Sequence, residues 1–205
     1  TEALRVEKAL MDVNVLLELS QGKIKDFGNE MFTVARNTVQ SFNTISEAAT
    51  EFARQGLGAE ETLRRVNDAM ILTRLSGLDA ANSVSSLTAA VNTFKKEALD
   101  TTQVVNRLAN VDASFAVSSK DLADALSRAG ASANSAKVDF NELLAVTAAV
   151  QERTARGGAV IGNAFKTIFT RLQRSRVRDV LEEIGVATED TNGQLRSATQ
   201  ILIEY

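Results

Sequence analysis

Two groups of side chains in the last third of the chain are of types that take part in chemistry. A cationic cluster comprises Arg171, Arg174, Arg176 and Arg178. Guanidinium groups bind phosphate well, so the cluster is a candidate phosphate or partner contact. The residues that most resemble a catalytic carboxylate pair are Glu182 and Glu183. Adjacent helical residues point about 100° apart and cannot face one substrate, so we expect no enzymatic activity.

The composition excludes most other reactive sites. The 205 residues include no cysteine and no histidine, which removes disulfides, thiolate nucleophiles, imidazole bases and the usual zinc sites. We therefore predict no catalytic residue, no metal ligand and no cofactor. The net charge is −3, with 23 basic and 26 acidic residues, whereas duplex-DNA binders carry a basic excess. Specific DNA contact is not expected.

The arginine cluster has two interpretations. No aromatic residues alternate with these arginines to stack on bases, and Arg178 stands four residues before Glu182, a spacing that favours an ion pair on a helix. A solvated, partly ion-paired helix face is therefore favoured over a phosphate contact.

Residues 158–172, which include the first arginine of the cluster, form the most informative segment of the chain and have helical apolar spacing from Ile161 onward. Its candidate site residues are Gly158, Gly162, Phe165, Ile168, Phe169 and Leu172. The apolar residues share one face, and the two glycines lie four residues apart at its start. A helical glycine costs about 1 kcal/mol relative to alanine, so this pair predicts that another backbone lies close. Packing against an alanine-rich repeat is favoured; the alternative is insertion of the apolar face into a bilayer.

The elements that position these residues are all predicted to be helices. With 44% hydrophobic residues and no proline, the chain is expected to be all-α: a bundle of short helices after a long N-terminal helical region. Residues 1–55 form that amphipathic region, broken only by Gly22 and Gly28, and residues 56–205 form a compact module. Two interpretations of 1–55 stay open: a pair of helices on a core, or a helix that associates with its own copies. Its heptads are not regular enough to establish a coiled coil.

Local signals divide the module into helices. N-terminal caps are predicted at Asp79, Asp100, Ser118, Asp139 and Ser197. Helix ends are predicted at Gly56, Gly77 and Gly130. Asn192-Gly193 predicts a small hairpin near the C-terminus. Asp79 and Asp139 lie 60 residues apart within similar surroundings, which indicates an approximate repeat of a helix pair.

The order of these motifs resembles the conserved core of phage tail tape measure proteins. The C-terminal motifs are Gly157-Gly158, Gly162–Leu172, Leu181-Glu182-Glu183-Ile184-Gly185-Val186, Asn192-Gly193-Gln194-Leu195-Arg196 and Ile201-Leu202. Similar upstream pieces are Gly58-Ala59-Glu60-Glu61, Ser76-Gly77-Leu78-Asp79 and Ala89–Phe94. The likeness spans about residues 45–205, and the order and spacing of the motifs make it more specific than any one of them.

The resemblance implies a structural virion protein. Members of this family set tail length, scaffold polymerisation of the tail tube and leave ahead of the DNA during ejection. Implied partners are further copies of the chain, the tail tube protein, tail tip or baseplate proteins, assembly chaperones and the host membrane. The implied location is the tail, in its lumen or at its tip, after assembly in the host cytoplasm. A helical interaction or membrane-active effector module without enzymatic activity is the alternative.

The ends of the sequence and the lengths of its apolar runs lead to two further expectations. The sequence begins at Thr1 without an initiator methionine, and its last residues continue a helical pattern, so a piece of a longer protein is expected. The apolar runs are shorter than the roughly 20 residues of a membrane-spanning helix.

Overall fold

The computed structural model of the protein describes residues 2–204, so the predictions for Thr1 and Tyr205 lie outside it. Within that range the predicted all-α class is confirmed, with eleven α-helices and no strand. The first five are α1 Glu2–Leu17, α2 Gln21–Thr38, α3 Phe42–Ala53, α4 Ala59–Ser76 and α5 Ala80–Thr93. After a 3₁₀ turn at Lys95–Glu97 come α6 Thr101–Ser114, α7 Ser119–Ser135, α8 Phe140–Thr154, α9 Gly158–Leu172, α10 Ser175–Glu183 and α11 Ala198–Glu204.

The N-terminal region consists of three helices, and the prediction that Gly22 and Gly28 break it is wrong. Both glycines lie inside α2. The breaks fall instead at Glu18 and Val39, which adopt positive φ angles of 52° and 57°. A Cβ on Gly28 would lie 3.0 Å from the Leu10 side chain, so this glycine allows α1 to pack closely on α2. Its role is tertiary and does not interrupt the helix.

The chain folds into two compact units, Thr1–Thr88 and Ala89–Tyr205, and α5 crosses the division between them. The boundary predicted at residues 55 and 56 falls between α3 and α4 of the first unit. The core of the first unit includes Val13, Met31, Ile45, Phe52, Val66 and Met70. The core of the second unit includes Phe94, Leu108, Leu122, Phe140, Leu143 and Phe169.

Helix starts follow the predicted caps closely. Asp100 and Asp139 form complete capping boxes with Gln103 and Glu142. The other three caps, at Asp79, Ser118 and Ser197, accept backbone N–H groups at the starts of α5, α7 and α11. These caps are correct because each depends only on residues three positions apart.

The predicted helix end at Gly130 is wrong. Helix α7 continues to Ser135, and Gly130 is buried in its middle. A Cβ on Gly130 would lie 3.7 Å from the Phe94 ring, an ordinary van der Waals contact. The residue that turns the chain after α7 is Lys137, with φ of 60°. In the other predicted repeat copy the equivalent turn is at Gly77, with φ of 71°.

The Asn192-Gly193 turn closes a very small hairpin. It is a single antiparallel bridge between Glu189 and Leu195. The segment that follows is fastened to the end of α7, where Lys137 Nζ donates to the Leu195 carbonyl at 2.7 Å. The turn therefore leads the chain back across the second unit into α11.

Candidate functional site

Helices α7 and α9 meet backbone to backbone at the two predicted glycines. A Cβ on Gly158 would stand 1.8 Å from the Asp121 carbonyl oxygen. A Cβ on Gly162 would stand 2.8 Å from the Ala125 Cα. Neither position has room for a side chain, because the obstructing atoms are backbone atoms. Glycine is therefore required at Gly158 and strongly favoured at Gly162 by the approach of α7.

The two contacts also give the direction of packing. Asp121 on α7 contacts Gly158 on α9, and Ala125, one turn further along α7, contacts Gly162, one turn further along α9. The two helices therefore run in the same direction. Helices α7 and α9 are thus parallel, and α8, which lies between them in sequence, returns the chain in the opposite direction. At the end of that return, Gly157 adopts φ of 80°, a conformation that side chains with L chirality rarely take.

The Asp121 carboxylate holds the start of α9. Its Oδ1 accepts the Gly158 N–H at 2.7 Å, and its Oδ2 accepts the Ser118 hydroxyl at 2.7 Å. Burial acts to raise the pKa of Asp121, but the hydrogen bonds from Gly158 and Ser118 outweigh it and lower the pKa. The carboxylate is therefore held in its charged form, beside the positive end of the α9 dipole.

A second aspartate fixes the start of α7 itself. Asp112, near the end of α6, accepts both the backbone N–H and the hydroxyl of Ser119, at 2.8 and 2.6 Å. Ser119 is fully buried. This aspartate therefore positions the helix turn that carries Asp121.

Sequence reasoning did not identify Asp121, Ala125 or Asp112 as part of this site. One signal for Ala125 is present in the sequence. Helix α7 carries buried alanines at Ala125, Ala129 and Ala133, four residues apart. That spacing matches the spacing of Gly158 and Gly162, and small residues at this interval let helices approach closely. No local signal pairs Asp121 with a glycine 37 residues later.

The predicted apolar face of α9 is only partly buried. Phe165 and Phe169 are buried, with their rings stacked at a centroid distance of 5.4 Å. Leu172 is half-buried and Ile168 is 36% exposed. While α9 packs on α7, its two phenylalanines are unavailable to a lipid bilayer. No helix within residues 2–204 is both long enough and apolar enough to cross a membrane.

The arginine cluster lies at the end of α9 and on α10. Arg171, Arg174 and Arg176 are exposed. The predicted ion pair of Arg178 with Glu182 is not formed, because each has a different partner. Arg178 donates to the Gln173 carbonyl at 2.6 Å, and Glu182 accepts the Thr188 hydroxyl. These arginines present a cationic surface on the second unit.

An apolar groove lies between α6 and α8. Its volume is about 340 Å³, and it is lined by Arg107, Asn110, Val111, Phe115, Asn141, Leu144, Ala145, Ala148, Ala149 and Glu152. The Phe115 side chain on its wall is 52% exposed. Arg107 contacts Asn141 near the start of α8, and Glu152 lies near its end. The groove therefore combines apolar walls with opposite charges towards its two ends.

These features are contacts between helices, and the residues that the structure describes hold no cluster of three acidic, histidine or cysteine side chains suited to a metal. A family model described as phage-related minor tail protein matches residues 21–204. The chain belongs to this family. It is thus a structural protein of the phage tail, located in the virion tail among other tail components. No solved structure matches the chain of this minor tail protein.

The hydrogen bond from Gly158 to the Asp121 carboxylate makes the stability of the α7–α9 contact depend on pH. Because the pKa of Asp121 is lowered on folding, its stabilisation is present above the unfolded pKa of about 4 and is lost as the pH falls through the lower folded pKa. We expect Asp121→Ala to lower the free energy of unfolding at pH 7 by about 1–3 kcal/mol, since a backbone N–H loses its charged acceptor.

Urea unfolding between pH 7 and pH 3 measures this effect. The difference between wild type and Asp121→Ala should shrink as the pH falls below about 4. Lys166→Ala is the matched control, because Lys166 is exposed on α9 about two turns beyond Gly158. A difference that stays constant across this pH range would contradict the assigned role of the carboxylate.

Proposed function

We propose that this minor tail protein is the core module of a tape measure protein, which sets tail length and scaffolds the tail tube. The observation that carries the proposal is the ordered run of motifs over residues 45–205, which resembles the tape measure core and lies mostly within the family match. Release ahead of the DNA during ejection follows from the same resemblance and belongs to the proposal.

The helix lengths support a particular part for this module within the proposed function. The longest helices, α2 and α4, have 18 residues, which correspond to about 27 Å at 1.5 Å per residue. A segment that measures tail length needs a long uninterrupted helix, and these short helices joined by tight turns do not form one. We infer that the length-determining segment lies elsewhere in the tape measure protein and that this module anchors it.

The surfaces of the second unit supply the anchoring contacts. The groove between α6 and α8 has apolar walls and charged ends, which suit a helix of a tail tip protein or an assembly chaperone. The tight α7–α9 contact keeps α8, which forms one wall of that groove, in a fixed place. Anchoring thus depends on the glycine pair through the shape of the module.

Tail length is the measurement that tests the proposal. Insertions of about 40 helix-forming residues are made separately ahead of Thr1 and after Tyr205 in the phage protein, and the one that falls in the length-determining segment should lengthen the tail by about 60 Å. Electron micrographs of negatively stained particles give the length distribution. Gly22→Ala, in an open position on α2, is the control and should leave the length unchanged.

The alternative predicts a different result. If the chain is a helical interaction or effector module without a ruler role, both insertions leave tail length unchanged while tails still form. Normal tails of uniform length in phage that lack the protein would also overturn the proposal.

A further inference from the structure

Helix α1 has an exposed apolar stripe on the side that faces away from the first unit. Leu4, Met11 and Val15 are 63%, 60% and 76% exposed, whereas Val13 on the opposite side is fully buried. Together with Lys8, the exposed residues follow steps of four, three and four along the helix. This is the spacing of the a and d positions in a coiled coil, with Lys8 and Val15 at a.

The stripe is not accounted for by the family. The family match begins at residue 21, after the end of α1. The inner side of α1 is already used, because Leu10 packs on Gly28 and Val13 is in the core. The outer side is therefore free for an apolar partner, and a row of three exposed apolar side chains indicates an interaction site.

The flanking charges are complementary to those of a second copy of α1 in one of the two possible directions. Arg5 and Asp12 border the stripe on one side, and Glu7 and Asn14 border it on the other. In a parallel pair of α1 helices, Glu7 of one copy would face Asp12 of the other, and like charges repel. In an antiparallel pair, Arg5 of each copy lies beside Asp12 of the other.

We propose that α1 pairs antiparallel with α1 of a second copy of this chain. Leu4 then packs against Val15 of the second copy, and Lys8 against its Met11. The single lysine at an a position fixes the register, since its long stem packs while its ammonium reaches solvent. A two-fold contact of this kind is closed, so assembly through it stops at the dimer.

This pairing rests on α1 alone and does not depend on the proposed tail-length function. In the isolated protein, before other tail proteins bind, the exposed stripe of α1 is covered by α1 of the second copy. If α1 does not pair, the result expected from the tail-length experiment is unchanged. If the tail-length experiment fails, the result expected for α1 pairing is unchanged.

Sedimentation equilibrium of the purified chain tests the charge pattern. Arg5→Asp and Asp12→Arg should each weaken the dimer about tenfold, since two attractive contacts become repulsive. The double variant Arg5→Asp/Asp12→Arg should restore it. Met11→Lys should abolish dimers, whereas the control Val180→Lys, at another exposed apolar residue, should not. Helical circular dichroism identifies any variant that fails to fold.

The direction of pairing is tested by disulfide trapping, because the chain has no cysteine of its own. A mixture of Leu4→Cys and Val15→Cys chains should form the mixed disulfide under mild oxidation. Leu4→Cys alone should form almost none, since the two positions lie at opposite ends of the pair. Efficient Leu4→Cys homodimers would indicate a parallel pair and overturn the proposal, as would a wild-type chain that stays monomeric.

Discussion

Replacing Gly158 with alanine is expected to lower the free energy of unfolding of the second unit by about 3 kcal/mol or more. The added Cβ would stand 1.8 Å from the Asp121 carbonyl oxygen, and only movement of one whole helix relieves that contact. The movement also breaks the 2.7 Å hydrogen bond between Gly158 N–H and the Asp121 carboxylate. Gly162→Leu should act in the same direction, since its Cβ would meet the Ala125 backbone.

Thermal and urea unfolding followed by circular dichroism measure this loss. Gly22→Ala is the matched control, because Gly22 also lies in the first turn of a helix but has no atom within 4 Å of its Cβ position. It should stabilise the protein by about 0.5–1 kcal/mol through propensity and reduced freedom of the unfolded chain. Equal unfolding midpoints for Gly158→Ala and wild type would show that α7 does not approach α9 this closely.

Replacing Phe169 with alanine is expected to cost about 3–5 kcal/mol. Its side chain is fully buried, and its ring stacks on Phe165 at 5.4 Å. Removing the ring leaves a cavity where α9 enters the core of the second unit. The neighbouring Ile168 is 36% exposed, so Ile168→Ala should cost less than about 1 kcal/mol.

This pair of variants separates core packing from membrane insertion as the role of the apolar face. Urea unfolding gives the two free energies. Similar losses for both variants, or a larger loss at Ile168, would contradict the orientation of α9 described above. Normal stability of Phe169→Ala together with loss of liposome binding would favour the membrane alternative.

The sequence was a reliable guide wherever the deciding interactions are local. A cap such as Asp100 and its partner Gln103 are three residues apart, so their types and spacing suffice. The glycines were harder to interpret. Gly77 ends a helix, as predicted, whereas Gly28 and Gly130 lie inside helices against Leu10 and Phe94. A glycine can signal a turn or a close neighbour. At Gly28 the close neighbour is Leu10 on another helix, whereas at Gly130 a Cβ would make only an ordinary contact and neither explanation applies.

The sequence by itself determined the all-α class, the caps that start five helices, the need for close approach at Gly158 and Gly162, and membership in a phage tail family. The first three depend on residue type and short spacing, and the family membership depends on the order of short motifs along the chain. Only the tertiary structure decided that Asp121 and Ala125 meet those glycines, and that Phe169 is buried while Ile168 is not. The physical reason is that helix packing joins residues about 37 positions apart, and a 3.6-residue period defines a helical face but not what covers it.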